Sequence, residues 1–320
     1  MQIVIPDDYQ DAVRGLACFS KLAGHSVTVF TDTVKEIDAL AERFREADAL
    51  VLIRERTRIS EALLEKLPRL KLISQTGKGT AHIDLAACAR RGVVVAAGTG
   101  SPYAPAELTW ALVLAAMRHV PFEVARLRAG HWQSTMGTGL RGRTLGIWGY
   151  GKIGTLVAGY GRAFGMDVRV WGREGSLSRA HADGYALAAG REELFERSDV
   201  LSLHLKLSAE TRGIVTEADL ARMRPDALLV NTSRAELIAP GALEAALRAG
   251  RPGSAAVDVY EEEPVLGAAH PLLALDILEK AVCTSHLGYV EKDSYESYFG
   301  QAFDQVVAFA EGRPVGSDKV

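Results

Sequence analysis

The run Gly149-Tyr150-Gly151-Lys152-Ile153-Gly154 constrains this chain more than any other stretch, because of what flanks it. Thr144 to Trp148 ahead of it is β-rich, and the residues behind it read as a helix through about Phe164. A strand that turns sharply at Gly149 into a helix leaves bare amides at the helix start. Gly151 leaves room for a pyrophosphate, and Gly154 lets the helix pack close to the strand. In this setting the spacing reads as a dinucleotide site, with Tyr150, Lys152 and Ile153 completing the turn. A glycine-rich loop of purely structural use is the blander alternative.

Short β-rich runs alternate with helical patterns along the whole chain, which predicts an α/β protein of two Rossmann-like or flavodoxin-like domains with doubly wound parallel sheets. Gln2 to Ile5, Ser26 to Phe30, Ala49 to Ile53, Leu72 to Ser74 and Val93 to Ala96 read as strands, with helices at Ile37 to Glu46 and Ser60 to Lys66. A long helix from Ala104 to about His119 leads into a second unit. There six strands are expected, at Thr144 to Trp148, Val168 to Trp171, Val200 to Leu205, Ala227 to Asn231, Ala255 to Val259 and Ala281 to Thr284. A final helix, Tyr295 to Glu311, is expected to fold back on the first unit. The expected division is a discontinuous substrate-binding domain, 1–100 with 290–320, and a dinucleotide-binding domain, 101–289.

Composition narrows the class. In 320 residues, 37 basic side chains stand against 40 acidic ones, so no broad positive field draws the chain to nucleic acid. The start of the chain lacks the basic and apolar segments of a secretory signal, and Trp110 to Met117 is too short to span a membrane. Cys18, Cys88 and Cys283 are far apart without CxxC spacing, which suits free thiols in a reducing cytoplasm and suggests no metal site.

Cofactor choice hangs on the end of the strand after the glycine turn, where an NAD site usually places a carboxylate on the ribose hydroxyls. Here Val168 to Trp171 is followed by Gly172-Arg173, and the nearby acids are Asp167, at the wrong end, and Glu174, past the turn. Arg173 can fork onto a 2′-phosphate, with Ser176 and Arg179 assisting, so NADP(H) is favoured. A solvated Arg173 would instead leave NAD(H) possible.

Reducing a 2-oxo acid requires a cation for the carboxylate and carbonyl oxygen, a proton donor, and a group that holds that donor protonated. Three late strand ends offer candidates: Asn231-Thr232-Ser233-Arg234, Asp258-Val259-Tyr260-Glu261-Glu262-Glu263-Pro264, and Thr284-Ser285-His286-Leu287-Gly288. Carboxyl ends of strands line the ligand crevice of a doubly wound sheet, so these segments can converge.

With its phosphate turn, arginine segment, Asp-Val followed by Glu-Pro, and histidine segment in this order, the chain resembles the D-2-hydroxyacid dehydrogenase family over nearly its whole length. The resemblance implies that Arg234 binds substrate and polarises its carbonyl, that His286 is acid and base, and that Glu263 pairs with His286, favouring the protonated ring. It also implies that His204, Lys206, Thr232, Asp258 and Gly288 lie around the cofactor, Asp258 near the nicotinamide carboxamide. A turn aspartate is the alternative for Asp258, and a solvated side chain for Lys206. Formate dehydrogenases, which are similar, carry glutamine where Glu263 stands, so their chemistry is disfavoured. Ala235, Ser285, Tyr289 and Lys206 depart from the family pattern, which carries glycine, proline, glycine and proline there.

The segment Gln75-Thr76-Gly77-Lys78-Gly79-Thr80-Ala81-His82-Ile83-Asp84 resembles the family's substrate loop, with amides of Gly77 and Gly79 as an anion nest. Lys78 either adds charge for a second anionic group or faces water. Arg54 matches an arginine of the phosphoglycerate branch and permits a phosphorylated or dicarboxylic substrate. The expected reaction is hydride transfer between NAD(P)H and a small 2-oxo or D-2-hydroxy acid, glyoxylate/hydroxypyruvate reductase-like, in a cleft between the domains. Its closure would bring the Gly77 to Gly79 amides over the nicotinamide. The additional regulatory domain often found in phosphoglycerate dehydrogenases is not expected within these 320 residues. A phosphoglycerate dehydrogenase-like activity and a dinucleotide-sensing corepressor-like protein are the alternatives. The resemblance suggests a homodimer, formed through Ala104 to His119 and Arg126 to Gly139.

Overall fold

The structure, a computed structural model, describes residues 1–267, 269–274 and 278–315. The chain opens with β1 (Gln2–Ile5) and β2 (Ser26–Val29), followed by α1 (Ile37–Phe44), β3 (Ala49–Leu52), α2 (Glu61–Leu64), β4 (Leu72–Gln75), α3 (Leu85–Arg90) and β5 (Val94–Ala97). These five strands form one wholly parallel sheet in the order β2-β1-β3-β4-β5. β3 and β4 are buried at every residue, as expected of strands covered on both faces.

The chain then enters a second unit through α4 (Tyr103–Met117) and α5 (Val120–Arg128). There follow β6 (Thr144–Trp148), α6 (Lys152–Ala163), β7 (Asp167–Trp171), α7 (Glu174–Ala182), β8 (Ala186–Leu187), α8 (Arg191–Arg197), β9 (Val200–Leu203), α9 (Glu217–Ala221), β10 (Leu228–Asn231), α10 (Ala242–Ala249), β11 (Ser254–Val257) and β12 (Ala281–Cys283). The seven strands are parallel in the order β12-β11-β10-β9-β6-β7-β8. The last helix, α11 (Lys292–Ala310), belongs to the first unit. Two compact units result, residues 1–101 with 291–320 and residues 102–290.

Each unit has its own core. In the first, Phe44, Leu50, Leu52, Ile59, Leu63, Leu64 and Ile73 are sealed between the sheet and α1 to α3. On the other face α11 lays Phe303 against Phe19, with Phe299 packed on Phe303, and Ser74 Oγ donates to the Ala302 carbonyl at 3.1 Å. The Glu296 carboxylate accepts from the backbone N–H groups of Ala17 and Cys18, capping the short 3-10 helix Ala17–Leu22. In the second unit α4 is predominantly apolar and packs Trp110, Leu112, Val113 and Ala116 into the core beneath β6 and α6.

Several elements differ from the expected bounds for identifiable reasons. α2 is a single turn, with Ser60 as its cap accepting from the Leu63 N–H. α4 starts at Tyr103, which puts Pro105 in its first turn, and stops at Met117 because His119 adopts φ +52 before α5 begins with Pro121 in its first turn. α11 begins three residues before Tyr295 because Glu291 caps it through the Asp293 and Ser294 N–H groups. The seventh strand of the second sheet, β8, was not expected: it is two exposed residues at an edge, too short to show a period.

Phe44 is fully buried in the first unit's core, so Phe44→Ala is expected to cost that unit about 3–5 kcal/mol, measured by denaturant unfolding.

Candidate active site

In the second sheet, strand order reverses between β6 and β9, and both ends there approach one turn. Gly149 has φ +102, and a Cβ on it would stand 2.5 Å from the His204 carbonyl oxygen beyond β9. A Cβ on Gly154 would lie 2.1 Å from the Gly149 carbonyl oxygen, whereas one on Gly151 would meet nothing within 4 Å. Two glycines thus serve close packing and the third faces open space. Gly151 is the N-cap of α6 and has no capping side chain, so the first amides of this 12-residue helix are left for a ligand. Lys152 is exposed, while Ile153 packs on the core. The Tyr150 ring is buried, donates from its hydroxyl to Asp183 at 2.7 Å, and leaves only backbone for a cofactor.

Gly172 follows β7 and lies against Gly149, its Cβ position 3.8 Å from the Gly149 Cα. Arg173 is exposed and is the N-cap of α7, with Glu174 after it. Arg179 ties this helix to the glycine turn, donating to the Tyr150 carbonyl at 3.0 Å and to Ser176 Oγ at 3.3 Å. Asp167 sits at the far end of β7, paired with Arg169. His204 shares a 2.9 Å hydrogen bond between Nε2 and Ser202 Oγ, and its Nδ1 is buried without a partner. Burial pushes this histidine down to about 4, so the ring is neutral at physiological pH. Lys206 is exposed, and its carbonyl accepts from Thr211 Oγ1. The Thr232 hydroxyl meets that of Thr109 on α4 at 2.7 Å. Uncapped amides, an open glycine and an orphaned buried ring nitrogen fit a bound dinucleotide.

The three expected chemical groups follow β10, β11 and β12, which lie side by side. Glu263 Oε2 and His286 Nδ1 share a 2.7 Å hydrogen bond, and Glu263 Oε1 accepts from the Tyr260 N–H at 3.0 Å. Burial pushes the Glu263 carboxyl up, but the His286 hydrogen bond and charge, the Tyr260 amide and the Arg234 charge together hold it below its ordinary value. Arg234 is therefore electrostatically coupled to the pair. Its loop is fastened from within: Asn231 Nδ2 donates to the Arg234 carbonyl at 2.9 Å, and Ser233 Oγ to the Leu203 carbonyl at 2.7 Å.

His286 has φ +53, a conformation uncommon outside glycine, so its turn must be held by other groups. Asp258, fully buried, does this: Oδ1 accepts from Thr284 Oγ1 at 2.6 Å and the Leu287 N–H at 2.7 Å, and Oδ2 from the Gly288 N–H at 2.8 Å. A Cβ on Gly288 would stand 3.2 Å from Asp258 Oδ2, tight against the carboxylate. The Asp258 carboxylate is thus engaged by the chain's own donors. Tyr260 donates from its hydroxyl to the Thr284 carbonyl at 2.8 Å, and the Tyr289 ring lies edge-to-face with His286. Neither tyrosine's part was read from the sequence, since an aromatic beside a motif looks the same whether it packs on a histidine or on the core.

The remaining candidates lie in the first unit. Arg54, at φ +54 after β3, has its N–H bound to Thr76 Oγ1 at 2.9 Å and its carbonyl to Gln75 Nε2 at 2.8 Å. Its guanidinium fills the space where a Gly77 Cβ would stand and lies 5.8 Å from the Tyr298 ring centre, while Glu55 fills the corresponding space at Gly79. The nest expected at Gly77 and Gly79 is thus overlaid on one side by Arg54 and Glu55; these glycines admit neighbouring side chains. Lys78 is exposed. His82, from the same loop, has both ring nitrogens buried without partners, and burial pushes it down to about 4.

Because a Gly154 Cβ would collide with a backbone oxygen that cannot yield, Gly154→Ala is expected to weaken dinucleotide binding at least about tenfold, measured by fluorescence titration.

Comparison with known proteins identifies the family of the chain. The family model for the D-isomer specific 2-hydroxyacid dehydrogenase, NAD binding domain, matches residues 110–288. A glyoxylate reductase of Aeropyrum pernix is 39% identical over 292 residues, 86% of this chain and 84% of that protein. A D-3-phosphoglycerate dehydrogenase of Methanocaldococcus jannaschii is 37% identical over 292 residues, 90% of this chain but only 53% of that longer protein. A crystal structure of a phosphoglycerate oxidoreductase from Vibrio cholerae superposes with a TM-score of 0.94 at 56% identity, covering 98% of this chain and 99% of that one. The chain belongs to the D-isomer-specific 2-hydroxyacid dehydrogenase family and is an oxidoreductase that uses a nicotinamide dinucleotide and acts on the CH–OH group of 2-hydroxy acids.

Proposed function

We propose that the enzyme reduces a small 2-oxo acid, of the glyoxylate and hydroxypyruvate type, with NADPH as the preferred reductant. The single observation that carries the assignment of roles is the 2.7 Å Glu263–His286 hydrogen bond, with the Arg234 charge acting on the same carboxylate. The bound nicotinamide supplies the hydride. Arg234 binds the substrate carboxylate and draws electron density from the 2-oxo oxygen, stabilising the charge that develops there. His286 gives that oxygen its proton from Nε2, because Nδ1 is engaged by its hydrogen bond to Glu263. In the oxidative direction the same nitrogen takes the proton back.

NADPH is favoured by the exposed Arg173 at the α7 N-cap, by the absence of a carboxylate at the end of β7, and by the neighbouring Arg179. The preference for a small substrate draws on the glyoxylate reductase among the relatives. A phosphoglycerate-type substrate is the second reading, supported by Arg54 beside Gly77 and by the similarity to the Vibrio cholerae oxidoreductase. Three free thiols suit a reducing cytoplasm, and among the described residues no helix is long and apolar enough to cross a membrane.

A homodimer is part of the proposal. On α5, Val120, Val124 and Leu127 are exposed at helical spacing, and in the segment after it Trp132 is 78% and Met136 91% exposed. That segment is ordered by Glu123, which accepts from the Ser134 N–H and from Thr135 Oγ1, so its apolar side chains are displayed on a held backbone.

A panel of glyoxylate, hydroxypyruvate, pyruvate and 3-phosphohydroxypyruvate, each with NADPH and NADH, tests the reading. The expected result is turnover of the small acids with kcat/KM at least about tenfold higher for NADPH, and loss of that preference in Arg173→Ala. A clear NADH preference would overturn the cofactor assignment. Arg234→Ala is expected to lower kcat about 10²–10³-fold while NADPH still binds; unchanged turnover would remove Arg234 from the chemistry. Light scattering should show a dimer that Trp132→Glu combined with Met136→Glu converts to monomer.

A further inference from the structure

The imidazole of His286 is held at one atom by Glu263, and a ring held at one atom can still rock about that hydrogen bond. Proton transfer from Nε2 to a fixed oxygen needs a second contact away from the Nδ1 axis. Asp258 cannot supply it, because its hydrogen bonds go to Thr284 and to the Leu287 and Gly288 backbone and fix the turn without reaching the ring. The Tyr289 ring does reach it. Its centre lies 5.2 Å from that of the imidazole with the planes at 79°, an edge-to-face pair.

Tyr289 is itself well placed for this. It is only 7% exposed, and it lies in the turn closed by the Val290 N–H to Leu287 carbonyl bond, next to the Gly288 amide that Asp258 anchors. The aromatic ring and the imidazole therefore spring from one pinned stretch of backbone, and neither can shift far without the other. Among the described residues no hydrogen bond reaches His286 Nε2, which leaves that atom to the substrate.

We infer that Tyr289 is a positioning residue for His286: its ring fixes the imidazole plane that Glu263 alone leaves free to rock, so that Nε2 is presented in one direction. The inference rests on the reading of His286 as proton donor. The contact is ring on ring and uses no tyrosine hydroxyl, so phenylalanine should replace Tyr289, whereas leucine fills the space without the directional aromatic pairing.

Steady-state reduction of glyoxylate and hydroxypyruvate by wild type, Tyr289→Phe and Tyr289→Leu tests this, with folding checked by thermal melting. Tyr289→Phe should keep kcat within about twofold, and Tyr289→Leu should lose about tenfold or more in kcat with KM and NADPH binding little changed. Equal kcat in the leucine variant and wild type, an equal fall in both variants, or a change in KM alone would overturn the inference. A readout independent of turnover separates this from the assignment of activity. In protein labelled with 13C-histidine, the His286 ring signal, identified by its loss in His286→Gln, should stay sharp in Tyr289→Phe and broaden through exchange in Tyr289→Leu. If wild type reduces no 2-oxo acid, the proposed function fails, and this signal alone decides the role of Tyr289: a sharp signal in the leucine variant would refute it.

Discussion

Both sheets are wholly parallel, and most else follows from that constraint. A parallel strand must be followed by a crossover, so every strand of a sheet ends on the same edge and every strand-to-helix turn emerges there. In the second sheet this collects the Gly149 turn, the segment of His204, the Arg234 loop, the Asp258 to Glu263 loop and the His286 turn along one edge. Residues 29 and 52 positions apart in the chain, Glu263 and His286 against Arg234, need no other device to be gathered.

Gathering is not positioning, and the second requirement is met by groups buried beneath the reactive ones. Asp258 is the chief example. A fully buried carboxylate is unfavourable unless its lone pairs are occupied, and here a hydroxyl and two backbone amides occupy them. Those donors all belong to the turn that carries His286, so satisfying the carboxylate and shaping the turn are one event. The left-handed backbone of His286 is sustained by that network. Arg54 in the first unit repeats the pattern, a non-glycine residue at positive φ with its N–H and carbonyl bound by Thr76 and Gln75.

Much of this was legible along the chain. Alternating β and helical patterns predict parallel sheets, and the steric needs read from the glycine run are met in the fold: Gly149 and Gly154 have no room for a Cβ, and Gly151 has open space. Glu263 and His286 stood out as candidates through their place in segments after successive strands and through the family resemblance. Boundaries were less legible, because Ser60, Glu291 and the left-handed His119 end or start helices through hydrogen bonds and backbone angles that no periodicity displays. β8 escaped notice because two exposed residues have no pattern.

The amino-acid order by itself determined the class of fold, and it supplied the glycine turn and the strand-end side chains on which the proposed roles rest, because these depend on local sterics and on the types of residue at strand ends. Only the tertiary structure decided which groups Asp258, Tyr150, Gly77 and Tyr289 meet. Each looks like a ligand contact or an incidental residue when read in line, and each is defined by a neighbour distant in sequence or in orientation: the amides of the histidine turn, the Asp183 carboxylate, the Arg54 guanidinium and the His286 ring. The reason is physical: a side chain's role is set by which donors, acceptors and surfaces face it after burial, and burial is a property of the folded chain.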